Sequence, residues 1–188
     1  MLAYVFWHWP RPAVGAREYE ALQRAFHAAL AAAPSDGFHR SRSAAIAGAT
    51  WANGGGPAYE DWYLVRGSAA LDPLEAAAIS ASRQGPHDAA AAAAGGGTAG
   101  LYRLRLGEPV AGPSEARWFA KPPGMTYPAL WDALRPAVER HRGALWGRQM
   151  VLGPTPEFCL HSVGPIELPA GFAPILLRLT ETWPAAPR

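Results

Sequence analysis

The sequence predicts an α+β fold made of two successive halves, the second incomplete. Three observations predict it. The stretch Tyr19-Glu20-Ala21-Leu22-Gln23-Arg24-Ala25-Phe26-His27-Ala28-Ala29-Leu30 recurs as Tyr127–Val138, 127 − 19 = 108 residues later, with five of twelve positions identical. In both copies the large apolar residues (Tyr19, Leu22, Phe26, Leu30; Tyr127, Leu130, Leu134, Val138) recur at i, i+3, i+7 and i+11, one face of a helix. Each copy follows a short aromatic strand pattern that stops at prolines, Pro10-Arg11-Pro12 and Pro122-Pro123-Gly124.

In the first half, residues 3–9 are β-branched and aromatic and read as a strand. A helix over about 16–33 ends at Pro34-Ser35-Asp36-Gly37. Phe38–Ala47 reads as a strand, Asn53-Gly54-Gly55-Gly56-Pro57 as a turn, and Glu60–Val65 as a third strand. Asp72 as N-cap and Pro73 in the first turn open a helix running to about Ser82. Ala89–Ala94 is either one more helical piece or a flexible connection, and Gly95-Gly96-Gly97 suits a mobile loop. Leu101–Leu106 alternates strictly and is the fourth strand, which completes a β-α-β-β-α-β order.

Gly107–Pro113 is a linker by composition, so the halves are expected at 1–108 and 114–188. In the second, Arg117–Lys121 is a strand and 126–141 a helix that Pro136 should kink. Ala144–Leu152 and Glu157–Ser162 pair across Gly153-Pro154-Thr155-Pro156. Gly164–Gly171 is too short and Pro-rich for the second helix of the repeat, and Pro174–Glu181 is the closing strand. The second half is a degenerate copy.

This order, with its Trp-rich and loosely copied second half, resembles the dimeric α+β-barrel superfamily, ferredoxin-like in each half and including antibiotic-biosynthesis-monooxygenase-like and NIPSNAP-like proteins. The resemblance covers about 3–106 and 116–183 and is one of order and pattern. It implies two sheets face to face as a barrel, helices outside, here fused in one chain. The superfamily hosts cofactor-free oxygenases, haem enzymes and isomerases, so it fixes no chemistry.

Composition narrows the function classes. A formal net charge of +2 with interspersed charges argues against a nucleic-acid arm or a membrane-surface helix. A single Cys159 excludes an internal disulfide and a cysteine-only metal site. There is no basic leader and no run of 18 apolar residues, so a cytoplasmic protein is expected. Neither a P-loop, a Gly-x-Ser-x-Gly elbow nor a His-Glu-x-x-His zinc site is present, and no cofactor or metal is expected.

Strand alternation supplies the candidate site. Arg103 and Arg105 oppose Tyr102, Leu104 and Leu106; Arg178 opposes Ile175, Leu177 and Leu179; Arg117, Phe119 and Lys121 oppose Trp118; Arg148 opposes Gly147 and Gln149. If Arg103, Arg105, Lys121, Arg148 and Arg178 converge inside the barrel, flanked by Trp7 and Trp62, the cavity would take an anionic or aromatic small molecule. The competing reading is a solvated polar face. Tyr4, Phe6 and His8 share one face of the first strand, against Val5, Trp7 and Trp9. His8 is either a general base at the barrel mouth or a half-buried strand residue; His161 shares a face with Cys159 and is the second catalytic candidate. His27 and His141 are expected at the surface, and His39–Ser43 as an exposed strand. Haem held by a histidine is disfavoured because no histidine has a recognisable partner. The sequence thus points to a small-molecule-binding protein or a cofactor-independent enzyme, against a structural or homo-oligomer-forming protein whose barrel is filled by side chains.

Overall fold

The computed structural model describes residues 1–184. The chain folds into two compact units: Met1–Ala99 joined by the stretch from Glu181 on, and Gly100–Thr180. The linker read from composition, residues 107–113, lies within the second unit.

The first unit runs β1 (Leu2–Pro10), α1 (Ala16–Ala32), β2 (Phe38–Ile46), β3 (Ala58–Val65), α2 (Leu71–Ala78), α3 (Gln84–Ala93) and the start of β4 (Ala94–Gly107). Its strands are ordered β4-β1-β3-β2, with β9 (Thr180–Trp183) beside β2. This is the ferredoxin-like arrangement that the β-α-β-β-α-β pattern predicts. Antiparallel register sets Tyr4, Phe6 and His8 opposite Tyr63, Asp61 and Tyr59, and Ser41 and Ser43 opposite Tyr63 and Asp61. Residues directly opposite share a face, so all of these lie on one side of the sheet. Trp7, Glu60, Trp62, Arg42 and Ala44 lie on the other.

Three expectations change here. Helix α2 starts two residues earlier, at Leu71, and Asp72 does not cap it. Residues 84–93 are helical, which settles the open reading of Ala89–Ala94. Gly95-Gly96-Gly97 is strand, not a mobile loop. Its glycines permit a close approach to β1: a Cβ at Gly96 would fall 2.5 Å from the Trp9 ring, and one at Gly97 2.5 Å from the Phe6 ring.

The second unit runs from the end of β4 through β5 (Glu115–Phe119), α4 (Tyr127–Arg140), β6 (Ala144–Arg148), β7 (Phe158–Ser162) and β8 (Ile175–Arg178). Its order is β8-β5-β7-β6, with β4 beside β6. Thr126 caps α4, its hydroxyl accepting from the Ala129 amide at 3.3 Å, with Pro128 in the first turn. Leu130, Leu134 and Val138 of α4 are buried with Leu106, Phe119, Leu145, Phe158, Leu160 and Ile166. No helix forms over 163–174, so the second half lacks the second helix of the first, as the sequence predicts. Strand β6 stops at Arg148 rather than Leu152, and Met150 and Leu152 are exposed. Arg148 turns back to donate to the Thr155 and Gly153 carbonyls at 2.6 and 3.2 Å, which holds the chain after β6 as a turn.

The fold class is therefore α+β, two tandem ferredoxin-like halves with the second degenerate. Among the described residues, no helix is long and apolar enough to cross a membrane.

Candidate functional site

Two neighbouring acids in β3 organise the first unit, because a strand sends successive side chains to opposite faces. Asp61 points under α1 and Glu60 to the other side. Both are buried, and a buried carboxylate must be supplied with donors.

Asp61 is supplied from three directions. Its Oδ2 lies 3.1 Å from His27 Nε2 of α1, 3.1 Å from His8 Nε2 of β1, and 3.0 Å from the Tyr63 hydroxyl that donates to it. His27 Nδ1 is 2.8 Å from Ser41 Oγ, and His8 Nδ1 is 2.6 Å from the Tyr19 hydroxyl. Each imidazole is also stacked, His27 between Tyr63 and Trp183, His8 between Phe6 and Tyr59. Burial works to raise the Asp61 carboxyl, but the two histidines outweigh it and hold the group well below the usual carboxylate range. The surrounding phenols move the other way. Burial, reinforced by the Asp61 charge, lifts Tyr19 and Tyr63 above the ordinary tyrosine value. Burial and the neighbouring Glu20 push Tyr59 up to about 12.

Glu60 is enclosed by indoles. Its Oε2 accepts from Trp7 Nε1 at 2.9 Å and its Oε1 from Trp62 Nε1 at 2.6 Å. Arg42, on β2, donates to Oε1 at 3.3 Å and lies over the Trp62 ring, 5.4 Å from its centre. Trp51 meets Trp7 edge to face at 6.2 Å. Trp7 and Trp62, the aromatic candidates from the sequence, thus come together on one face around a carboxylate and a guanidinium.

The structure redistributes the other candidates. His8 is on the predicted face but fully buried beneath α1, not half-buried at a mouth. His27 is buried, not surface, because Asp61 lies across from it; His141 is exposed as expected. Arg42 and Ser43 are buried, so β2 is not an exposed strand. His161 is buried on β7, opposite Ala116 and Ala144 and on the same face as Cys159.

The five cations do not converge, which corrects the anionic cavity read from alternation. A register shift between Leu104 and Leu106 places an extra residue in β4, so Leu106 joins the α4 core while Tyr102 and Leu104 stay on the other face. Arg103 pairs with Gly147 and hydrogen-bonds Gln149, Arg105 lies over Gly147, and Arg178 pairs with Glu115. These three are on the α4 side of the sheet. Arg148, opposite Tyr102, is on the reverse side. Lys121 follows β5, its Nζ donating to the Met125 carbonyl at 2.5 Å. The Arg178 side chain is 81% exposed, as the solvated-face reading requires.

Two signals in the sequence could have found the Asp61 cluster. Glu60-Asp61 is an acidic pair inside an aromatic strand, and Tyr19, Gln23 and His27 repeat at i, i+4 and i+8 along α1. Among the described residues no group of three His, Cys, Asp or Glu is arranged to hold a metal.

Fold and site together define an α+β protein of two ferredoxin-like halves, with a buried His-Asp-Tyr cluster in the first. One solved structure supports the fold. A crystal structure from Fusobacterium nucleatum subsp. nucleatum, named "Putative monooxygenase", superposes with a TM-score of 0.66 at 7% identity, over 96% of this chain and 92% of that one. A structure named "Putative Chlorite dismutase" matches with a TM-score of 0.44 at 10% identity, over 97% of this chain and 96% of that one. No protein-family model matches the chain, and no curated protein matches it in sequence.

Proposed function

We propose that the protein binds a small molecule carrying an aromatic ring and an anionic group, on the sheet face of the first unit that holds Trp7, Trp62 and Arg42. The observation that carries this reading is Arg42. It is a buried guanidinium stacked on an indole and held by Glu60, the pairing of a flat apolar wall with a fixed cation that such ligands need. The fold similarity supports it only in kind, since proteins of this fold hold small molecules and perform varied chemistry. His8 faces α1, on the opposite side of the sheet from Trp7, so it is not the base for a ligand on this face.

The rival reading is a protein whose interior is filled by its own side chains. It is favoured by Glu60, both of whose oxygens already accept hydrogen bonds. One titration separates the two. Tryptophan fluorescence and thermal melting are followed against a panel of aromatic carboxylates, with matched aliphatic carboxylates and neutral arenes as controls. The binding reading expects an aromatic acid to stabilise the fold by roughly 2.7 kcal/mol at a hundredfold excess over Kd, and Arg42→Ala to abolish the effect. A flat response across the whole panel establishes the filled interior instead.

A further inference from the structure

Tyr19 and His8 form a fully buried hydrogen-bonded pair that the proposed ligand face does not use. His8 Nε2 lies 3.1 Å from Asp61 Oδ2 without an aligned hydrogen bond, and in the neutral ring this carboxylate favours the tautomer with its proton on Nε2. Nδ1 is then the acceptor, and the Tyr19 hydroxyl donates to it across 2.6 Å. Four other phenols are partnered differently. Tyr63, Tyr59 and Tyr127 donate to carboxylates, and Tyr102 meets the Thr155 hydroxyl. A carboxylate is a far weaker base than imidazole, and Asp61 is further weakened by its three neighbours.

This geometry matters for electron loss. Removing one electron from a phenol makes its O–H strongly acidic, and a cation left in a buried site is costly. Tyr19 escapes that cost only if the proton can leave at once. The imidazolium formed by accepting it would stand 3.1 Å from a carboxylate. A path for the electron is also present. The Tyr59 ring is 5.2 Å from the Tyr19 ring, and the Tyr59 hydroxyl donates at 3.2 Å to Glu20, whose side chain reaches solvent.

We propose that Tyr19 is a one-electron donor. A one-electron oxidant at the surface, of the peroxyl-radical class, takes the electron; the phenol proton passes to His8 Nδ1. The products are a neutral Tyr19 radical, a His8 imidazolium paired with Asp61, and the oxidant reduced by one electron. The raised Tyr19 value agrees with this, because the phenol stays protonated until the electron leaves.

The test uses the whole chain with hexachloroiridate(IV) as the oxidant and freeze-quench electron paramagnetic resonance as the readout. The intact protein should give a tyrosyl signal that Tyr19→Phe removes and Tyr63→Phe retains. Its formation should slow in deuterium oxide, and His8→Gln, which offers an acceptor but no base, should suppress it. Tyr19→Phe keeps the ring and its packing, so loss of signal is not loss of fold. No tyrosyl signal in the intact protein, or an undiminished one in Tyr19→Phe, overturns the proposal. So does formation at the same rate in deuterium oxide, a readout that stands even if the His8 variant does not fold.

Discussion

Helices α1 and α4 share an apolar spacing and five of twelve aligned residues, yet the layers they cover differ in kind. Beneath α4 the second unit packs leucines, phenylalanines, a valine and an isoleucine. Beneath α1 the first unit packs two histidines, an aspartate, a serine and three tyrosines, several hydrogen-bonded to one another. The divergence is local. Leu30 and Val138 occupy equivalent positions and are both buried, whereas His27 is buried and its counterpart Arg135 (27 + 108) is exposed. Directly beneath α4 the second half closes over apolar residues, although Glu115 and Arg117 are buried on the same side of its sheet. A buried ion network is seldom more stabilising than well-packed apolar residues; replacing one is often neutral or gains about 1–4 kcal/mol. Moreover, Asp61 Oδ1 and Ser43 Oγ make no hydrogen bond among the described residues, which costs stability further. The polar layer of the first half is therefore not explained by stability alone.

The largest effect expected is at Asp61. Truncating it to Ala leaves His8, His27 and Tyr63 without their shared acceptor at positions that water cannot reach, and should cost roughly 3–5 kcal/mol in chemical denaturation. The same residue makes the stability of the first half sensitive to acid. Its folded carboxyl lies below the unfolded value, so the stabilisation is complete above about pH 4 and is lost as pH falls further toward the folded value. Asp61→Asn should flatten the acid limb of the stability curve. An unchanged acid limb would mean that the histidines do not hold the carboxylate ionised.

In the second half the loss should come from cavity formation and should not vary with acidity. Leu134 is fully buried among apolar neighbours, so Leu134→Ala should cost about 2–5 kcal/mol, equally at neutral pH and well below the ordinary carboxylate range. If its cost depended on pH as that of Asp61→Ala does, the contrast between the two layers would fail.

Much of this architecture is legible in the sequence because periodicity reports it directly: nearly every strand, both copied helices and the missing helix follow from it. What was not legible depends on registers and partners. His27 looks like a surface residue beside the stripe Tyr19, Leu22, Phe26 and Leu30, yet Asp61, 34 residues away in the chain, turns the buried arc toward it while Leu22 sits at the margin. The triple glycine reads as a loop until Trp9 and Phe6 are seen to need its missing side chains. The face of Arg103 and Arg105 was not legible because Leu106 belongs to the α4 core only through one inserted residue in β4, which puts it on the opposite face from Tyr102 and Leu104.

The smallest effect sharpens the same point within the second half. Glu115 is shared by two arginines on the α4 side of the sheet. Arg117 meets it at 2.7 Å with both side chains buried; Arg178 meets it at 3.4 Å from a side chain that is 81% exposed. An exposed pair is screened by water and must order a long side chain, so Arg178→Ala should change stability by no more than about 0.5 kcal/mol. Arg117→Ala would instead leave a buried carboxylate with only that solvated partner, and should be much the more damaging of the two. Measuring both by urea denaturation tests whether enclosure, not the count of ion pairs, decides which charges matter. Equal losses would mean that Glu115 draws on Arg178 as heavily as on Arg117, and that the solvent-facing arginines are more than a polar surface.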